Sequence, residues 1–150
     1  MDTDLRILIV EDRPTDAELC EQELQSAELE FQSRWVCTRE SFIAALRDFS
    51  PDLILSEFSV STDLTGITAL KIARSKSPDI PFIFVCGTIG EERAVEAAKA
   101  GAAGCVVKDK LHRLGPVVKR ALEEARDRRR NELKVLTELA AEFASGFEQL

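Results

Sequence analysis

Long apolar runs are missing from this chain. Its longest apolar stretches, such as Ile80–Cys86, fall far short of the roughly 20 residues that a membrane-spanning helix needs, so no span is expected. The first residues, Met1-Asp-Thr-Asp-Leu-Arg, set two acids before a short apolar run, whereas a secretory leader has a basic start and a longer apolar region. The chain therefore reads as cytoplasmic. Histidine is almost absent, His112 standing alone, and the four cysteines (Cys20, Cys37, Cys86, Cys105) are widely spaced with no C-x-x-C pair. That excludes a zinc-type cluster and leaves each cysteine as a small buried apolar residue in the first instance. A basic excess is also lacking: 20 Lys and Arg against 27 Asp and Glu give a net charge of −7. Such a surface repels a polyanion, and no nucleic-acid partner is expected. Gly87 and Gly90 flank Thr88 but build neither a G-x-G-x-x-G turn nor a phosphate loop, so nucleotide binding has no support.

What is present is a foldable composition: 150 residues, 45% hydrophobic and 31% charged, enough for one domain with some chain left over. Two periods alternate along it. Short runs rich in β-branched and aromatic residues, at Leu5–Val10, Phe31–Val36, Leu53–Leu55, Pro81–Val85 and Gly104–Val107, read as strands. Between them lie stretches of helical spacing. The first opens at Pro14-Thr15 and carries Ala17, Leu19, Cys20 and Leu24; the second, Arg39–Phe49, carries Phe42, Ile43, Leu46 and Phe49. After a loop ending near Gly66 comes Ile67–Arg74, and then Glu91–Lys99 with Ala94, Val95 and Ala98. Ile7–Val10, Leu53–Leu55 and Phe82–Val85 are apolar on successive residues, as strands covered on both faces are. The expected fold is a doubly wound α/β domain, with a five-stranded parallel sheet and its ligand site at the carboxyl ends of the strands.

At those strand ends stand Glu11-Asp12 after the first strand, Glu57 after the third, Cys86-Gly-Thr88 after the fourth and Lys108-Asp109 after the fifth. Carboxylates gathered in one crevice repel each other unless a cation shares it, and hard oxygen ligands beside a lysine suit Mg²⁺ and a phosphoryl group. The acidic pair by itself reads equally well as a solvated helix-capping turn; with Lys108 beside it the metal reading gains. Glu11, Asp12 and Glu57 are the candidate Mg²⁺ ligands.

The segments ILIVEDRPTDAEL, SPDLILSEFSV, PFIFVCGTIGEERAVEAAKAGA and VVKDKLHRLGPVVKRALEEA make the chain, from about Leu5 to Ala125, resemble the receiver domains of two-component response regulators. The resemblance implies the flavodoxin-like strand order 2-1-3-4-5. It also implies an acidic pair holding Mg²⁺, an aspartate after the third strand that takes a phosphoryl group from a histidine kinase, and a lysine that neutralises the product. A hydroxyl after the fourth strand and an aromatic three positions before the lysine complete the family's switch. Glu11, Asp12 and Lys108 match that pattern, whereas the acceptor position is Glu57, the hydroxyl position Cys86 and the aromatic position Cys105. Glutamate pushes its carboxylate about 1.5 Å further into the crevice, misplacing an in-line attack. A thiol is a weak donor, and Cys105 has no ring to swing. Thr88 offers a hydroxyl two residues on, in a different direction. The expectation is a receiver-like signalling module, not an enzyme, that is not phosphorylated in the usual way. Glu57 keeps a negative charge in reach of Lys108 or Mg²⁺ and imitates a phosphorylated aspartate only in part, with one charge where a phosphoryl group has nearly two.

From Leu111 to about Phe147 nothing but Pro116 interrupts a helix, which at that length would reach roughly 55 Å. Residues 1–125 are expected to form the receiver-like domain and 126–150 a helical extension. Arg126-Asp-Arg-Arg-Arg130 reads as a solvated face, and Leu133, Leu136, Ala140, Phe143 and Phe147 recur at intervals of three and four. That stripe fits a homodimeric coiled coil, a linker into a following sensory or output domain, or a helix folded back on its own domain. Three further readings stand beside the leading one. The first is a working receiver that takes a phosphoryl group from a histidine kinase with Mg²⁺, as the N-terminal part of a larger sensory protein. The second is a thiol pair at Cys86 and Cys105, and the third a flavin-binding α/β carrier, disfavoured because Glu11 and Asp12 stand where a phosphate would be cradled.

Overall fold

The computed structural model describes residues 5–87 and 91–148. Strands β1 (Arg6–Val10), β2 (Gln32–Val36), β3 (Leu53–Ser56), β6 (Phe82–Cys86) and β7 (Gly104–Val107) form a parallel sheet of order β2-β1-β3-β6-β7. This is the predicted five-stranded arrangement, since β4 (Ser59–Ser61) and β5 (Leu64–Thr65) pair only with each other in a small antiparallel hairpin. That hairpin fills the stretch read from the sequence as a loop. The fourth strand of the sheet also runs one residue further than expected, taking in Cys86.

Alternation along the central strands divides the core in two. Leu8, Val10, Ile54, Phe82 and Phe84 face one side, under α2 (Arg39–Asp48) and α3 (Gly66–Lys76), where Phe42, Leu46, Leu70 and Ala73 pack against them. Ile7, Ile9, Leu53, Leu55, Ile83 and Val85 face the other, against Ala17, Cys20 and Leu24 of α1 (Pro14–Ser26) and Leu114, Val118 and Ala121 of α5 (Leu114–Glu148). Burial on both faces is why these strands read as continuous apolar runs.

Local chemistry sets the helix starts. Pro14 sits at the first turn of α1, where its missing N–H costs no hydrogen bond. Thr38 and Ser41 cap α2 reciprocally, and the Thr65 hydroxyl accepts from the Thr68 N–H at 3.1 Å to start α3. Gly66 begins α3 because nothing larger fits: a Cβ there would lie 2.4 Å from the Glu57 carbonyl oxygen and 2.7 Å from the Phe84 ring. This close approach holds the turn after β3 against the sheet.

Three sequence readings of side-chain direction are corrected. In α4 (Glu91–Lys99) the buried residue is Ala97, while Ala94, Val95 and Ala98 are exposed. Alanines stand on several sides of this helix, so spacing alone does not fix which side turns inward. Leu19 of α1 is exposed, as is Cys105 on the edge strand β7. The last helix starts later than Leu111, because Lys108–Arg113 form a 3₁₀ turn that kinks at Lys110. Pro116 is the third residue of α5, still among the N–H groups that have no partner within the helix. Burial along α5 ends at Ala125, and every residue from Arg126 to Gly146 is exposed, including Leu133, Leu136 and Phe143. The extension projects and does not fold back. At its base α5 lies close on β7, where a Cβ on Gly104 would come within 3.1 Å of Val117.

Candidate functional site

The carboxyl ends of β1, β3, β6 and β7 open into a crevice of about 530 Å³ lined by Asp12, Asp16, Glu57, Cys86, Arg93 and Lys108, among others. Each side chain is delivered by the end of a strand or the start of a helix. The Glu11 N–H bonds to the Val36 carbonyl at 3.1 Å, and the Glu57 N–H to the Val10 carbonyl at 3.0 Å, so both residues continue the ladder for one step beyond their strands. The Trp35 indole N–H donates to the Glu11 carbonyl, fixing that turn from the β2 side. Lys108 leaves β7 as the first residue of the 3₁₀ turn.

Lys108 organises the crevice. Its Nζ lies 3.1 Å from Glu11 Oε2, 2.8 Å from Asp16 Oδ2 and 2.8 Å from Glu57 Oε1. An ammonium has three N–H donors and no acceptor; here it donates to Glu11 and Asp16 and is ion-paired with Glu57. Two of the second oxygens are occupied too: Glu57 Oε2 accepts from the Phe58 N–H at 2.6 Å, and Glu11 Oε1 from the Asp12 and Arg13 N–H groups at 3.0 and 3.3 Å. Burial alone would lower the Lys108 pKa, but hydrogen bonds to Asp16, Glu57 and Glu11 hold it above its ordinary value. Glu11, only 4% exposed, is pushed up from 4.5 to about 7, first by burial and then by the Asp12 carboxyl beside it, with Lys108 pulling the other way.

The sequence thus places Glu11, Asp12, Glu57, Cys86 and Lys108 correctly around one crevice, and Thr88 lies outside the described residues. It missed Asp16. The available signal was position: four residues after Asp12, Asp16 stands one helical turn on, in the first turn of α1. Read alone, an acid there serves the helix dipole.

The donor chemistry suits Mg²⁺, but the placement does not. Mg²⁺ demands near-octahedral oxygens at about 2.0–2.1 Å, with several waters retained. Among the described residues no three acidic, cysteine or histidine side chains are disposed to hold a metal. The place between the carboxylates belongs to the ammonium of Lys108.

At the far side of the crevice, Cys86 Sγ lies 3.7 Å from Cys105 Sγ. Cys86 is buried at the end of β6, and Cys105 is exposed on β7. The two positions read as hydroxyl and aromatic switch elements therefore meet as a pair of free thiols.

Residues 7–118 match the response regulator receiver domain. The chain is a member of that family. It is 31% identical over 135 residues to the nitrogen assimilation regulatory protein NtrX of Azorhizobium caulinodans, a match covering 88% of this chain and 29% of that protein. Over 91 residues it is 33% identical to the regulatory protein LuxO of Vibrio cholerae, covering 60% of this chain and 20% of LuxO. The chain thus spans less than a third of the length of these relatives. Among solved structures, NtrX from Brucella abortus superposes with a TM-score of 0.78 at 27% identity, covering 86% of this chain and 29% of that one. A CheY-like receiver domain from Methanospirillum hungatei gives 0.73 at 23% identity, covering 83% and 98%, and supports the fold alone. The receiver's five-stranded sheet, its order and the long last helix are all as the sequence implied. The flavin-carrier reading of the same topology gives way to this membership. No helix among the described residues is long and apolar enough to cross a membrane.

Proposed function

We propose that this receiver works without phosphorylation, its crevice held in one state by Lys108, and that it acts through protein contacts. One observation carries this reading: the Lys108 ammonium is ion-paired with three carboxylates of the chain itself, one of them Glu57 at the acceptor position. In a working receiver the lysine has to meet an incoming phosphoryl group. Here that group would first have to displace a carboxylate, and Mg²⁺ would have to draw Glu11 or Glu57 away from the ammonium. The thiol at Cys86 adds only a weak donor, and the exposed Cys105 has no ring to move inward. Glu57 supplies permanently part of the charge that phosphorylation would add for a time.

On this reading the chain is a cytoplasmic signalling module, and its partners are a histidine kinase or a following sensory or output domain. The region from residue 126 onward serves as the extension through which the domain meets such a partner or a second copy. The exposed Leu133 and Leu136 stripe supports that role, while the side chain of Phe147 lies outside the described residues.

The test is intact-mass analysis after incubation with acetyl phosphate and Mg²⁺, comparing the natural chain with Glu57→Asp. The natural chain should gain no phosphoryl group. Labelling of Glu57→Asp alone would show that the acceptor's length is the lock. Labelling of the natural chain would overturn the proposal and make this a working receiver with Mg²⁺ and a histidine-kinase donor.

A further inference from the structure

We propose that Cys86 and Cys105 form a peroxide-responsive thiol pair, in which the exposed Cys105 takes the oxidant and the buried Cys86 resolves it into a disulfide between β6 and β7. The pair's chemistry uses neither the carboxylates nor Lys108. Its test can therefore succeed or fail whatever the labelling of Glu57 shows.

Two observations carry it. The sulfurs are already in contact at 3.7 Å, whereas the other two cysteines stand apart, Cys20 buried under α1 and Cys37 half-buried after β2. Access is asymmetric, Cys105 facing solvent while Cys86 is 1% exposed. That is the arrangement a two-step oxidation needs, with one sulfur open to a small oxidant and the second sheltered until the first has reacted. The sulfur–sulfur contact sets the two thiols apart in the same sense: it lowers the Cys105 pKa, burial and the Glu57 charge opposing, while Cys86 is held up by the contact and by burial. Cys20, by contrast, is pushed up to about 12 by burial, which keeps it an inert thiol.

The chemistry balances with hydrogen peroxide as oxidant. The Cys105 thiolate attacks one peroxide oxygen, the O–O bond breaks, and the other oxygen leaves as water once protonated, giving Cys105 sulfenic acid. The Cys86 sulfur then attacks Cys105 Sγ, the S–OH bond breaks, and the hydroxyl leaves with the Cys86 proton as a second water. Two thiols have lost two electrons, and one peroxide has gained them.

Closing the bond has a structural consequence. The register sets Cys105 beside Phe84 and Cys86 beside Val107, so the cysteines are offset diagonally by two residues. With strands about 4.8 Å apart and about 3.3 Å of rise per residue, their Cα atoms lie about 8 Å apart, beyond the usual 4.4–6.8 Å span of a disulfide. The bridge forms only as the end of β6 shifts along the edge strand β7, because most of the separation is the two-residue offset along the strands. A bridge that holds strands out of their ordinary register is readily reopened by a thiol reductant.

The experiment treats the full chain with a few equivalents of hydrogen peroxide, then counts thiols and maps the peptides. Two of the four thiols should disappear, the mass should fall by two hydrogens, one cross-linked peptide should join Cys86 to Cys105, and dithiothreitol should restore all four. In Cys86→Ala a sulfenic-acid probe such as dimedone should label Cys105; in Cys105→Ala it should leave Cys86 unlabelled. Four thiols surviving in the natural chain would overturn the proposal. So would a bridge or adduct at Cys37, or first oxidation at Cys86.

Discussion

The two halves of the crevice are built on opposite principles. On the β1 and β3 side the contacts are ionic: one ammonium pairs with three carboxylates, and backbone N–H groups take the second oxygens of Glu11 and Glu57. On the β6 and β7 side two thiols touch, one buried and one exposed, and contribute a weak hydrogen bond. The first half ties β1, α1 and β3 to Lys108, whereas the second rests on a single sulfur–sulfur contact. On the proposed reading the two halves do not respond together to an added phosphoryl group, because Glu57, Cys86 and Cys105 stand at the acceptor, hydroxyl and aromatic positions.

The contrast rests most heavily on the ammonium. Lys108→Met removes the cation from a partly buried cluster and should cost about 3 kcal/mol or more in urea denaturation at pH 8, since it leaves carboxylates unpaired away from water. The cost should shrink at pH 5, where Glu11 takes up a proton. A loss below about 0.5 kcal/mol would place this cluster among ordinary surface ion pairs.

The next effect is a dependence on pH. Glu11 in the folded chain holds its proton up to about 7 against 4.5 in the open chain, so folding takes up a proton between those values. Its contribution is complete below pH 4.5 and lost as pH rises through 7, by about 3 kcal/mol in all at 1.36 kcal/mol per unit. Between pH 5 and pH 8 the natural chain should therefore lose more stability than Glu11→Gln does. Parallel curves for the two chains would show that burial does not hold the proton.

The smallest effects belong to the thiols. Cys86→Ala should cost about 1 kcal/mol through the small cavity it leaves, and Cys105→Ala less than about 0.5 kcal/mol. A Cys105 loss as large as that at Lys108 would erase the distinction between the halves.

What the sequence made legible follows from the same physics. Strands buried on both faces announce themselves as unbroken apolar runs, and parallel topology then carries whatever follows them to one edge. Glu11, Glu57 and Lys108 could therefore be placed together without any structure. Asp16 could not, because an acid in a helix's first turn has a sufficient local reason to be there. The inward face of α4 was illegible because its alanines give no preferred side, and Ala97, not Ala94 or Ala98, proves to be the buried one. The hairpin at Ser59–Thr65 was too short to show a period. That Lys108 would reach Asp16 as well as Glu11 and Glu57 was equally out of reach, since spacing fixes which groups meet and not which oxygen an ammonium proton chooses.

The unbroken course of α5 gives the molecule a lever. Its inner third is seated on the sheet as far as Ala125, and the rest continues as the same rod to Glu148, roughly 35 Å of projecting arm. A rotation of about 5° at the seat would sweep the far end through about 3 Å, on an arm of that length. The fulcrum is the close seat of Val117 on Gly104, next to Cys105 on the edge strand. Displacements too small to see within the sheet become, at the tip, as large as the gap between two side chains.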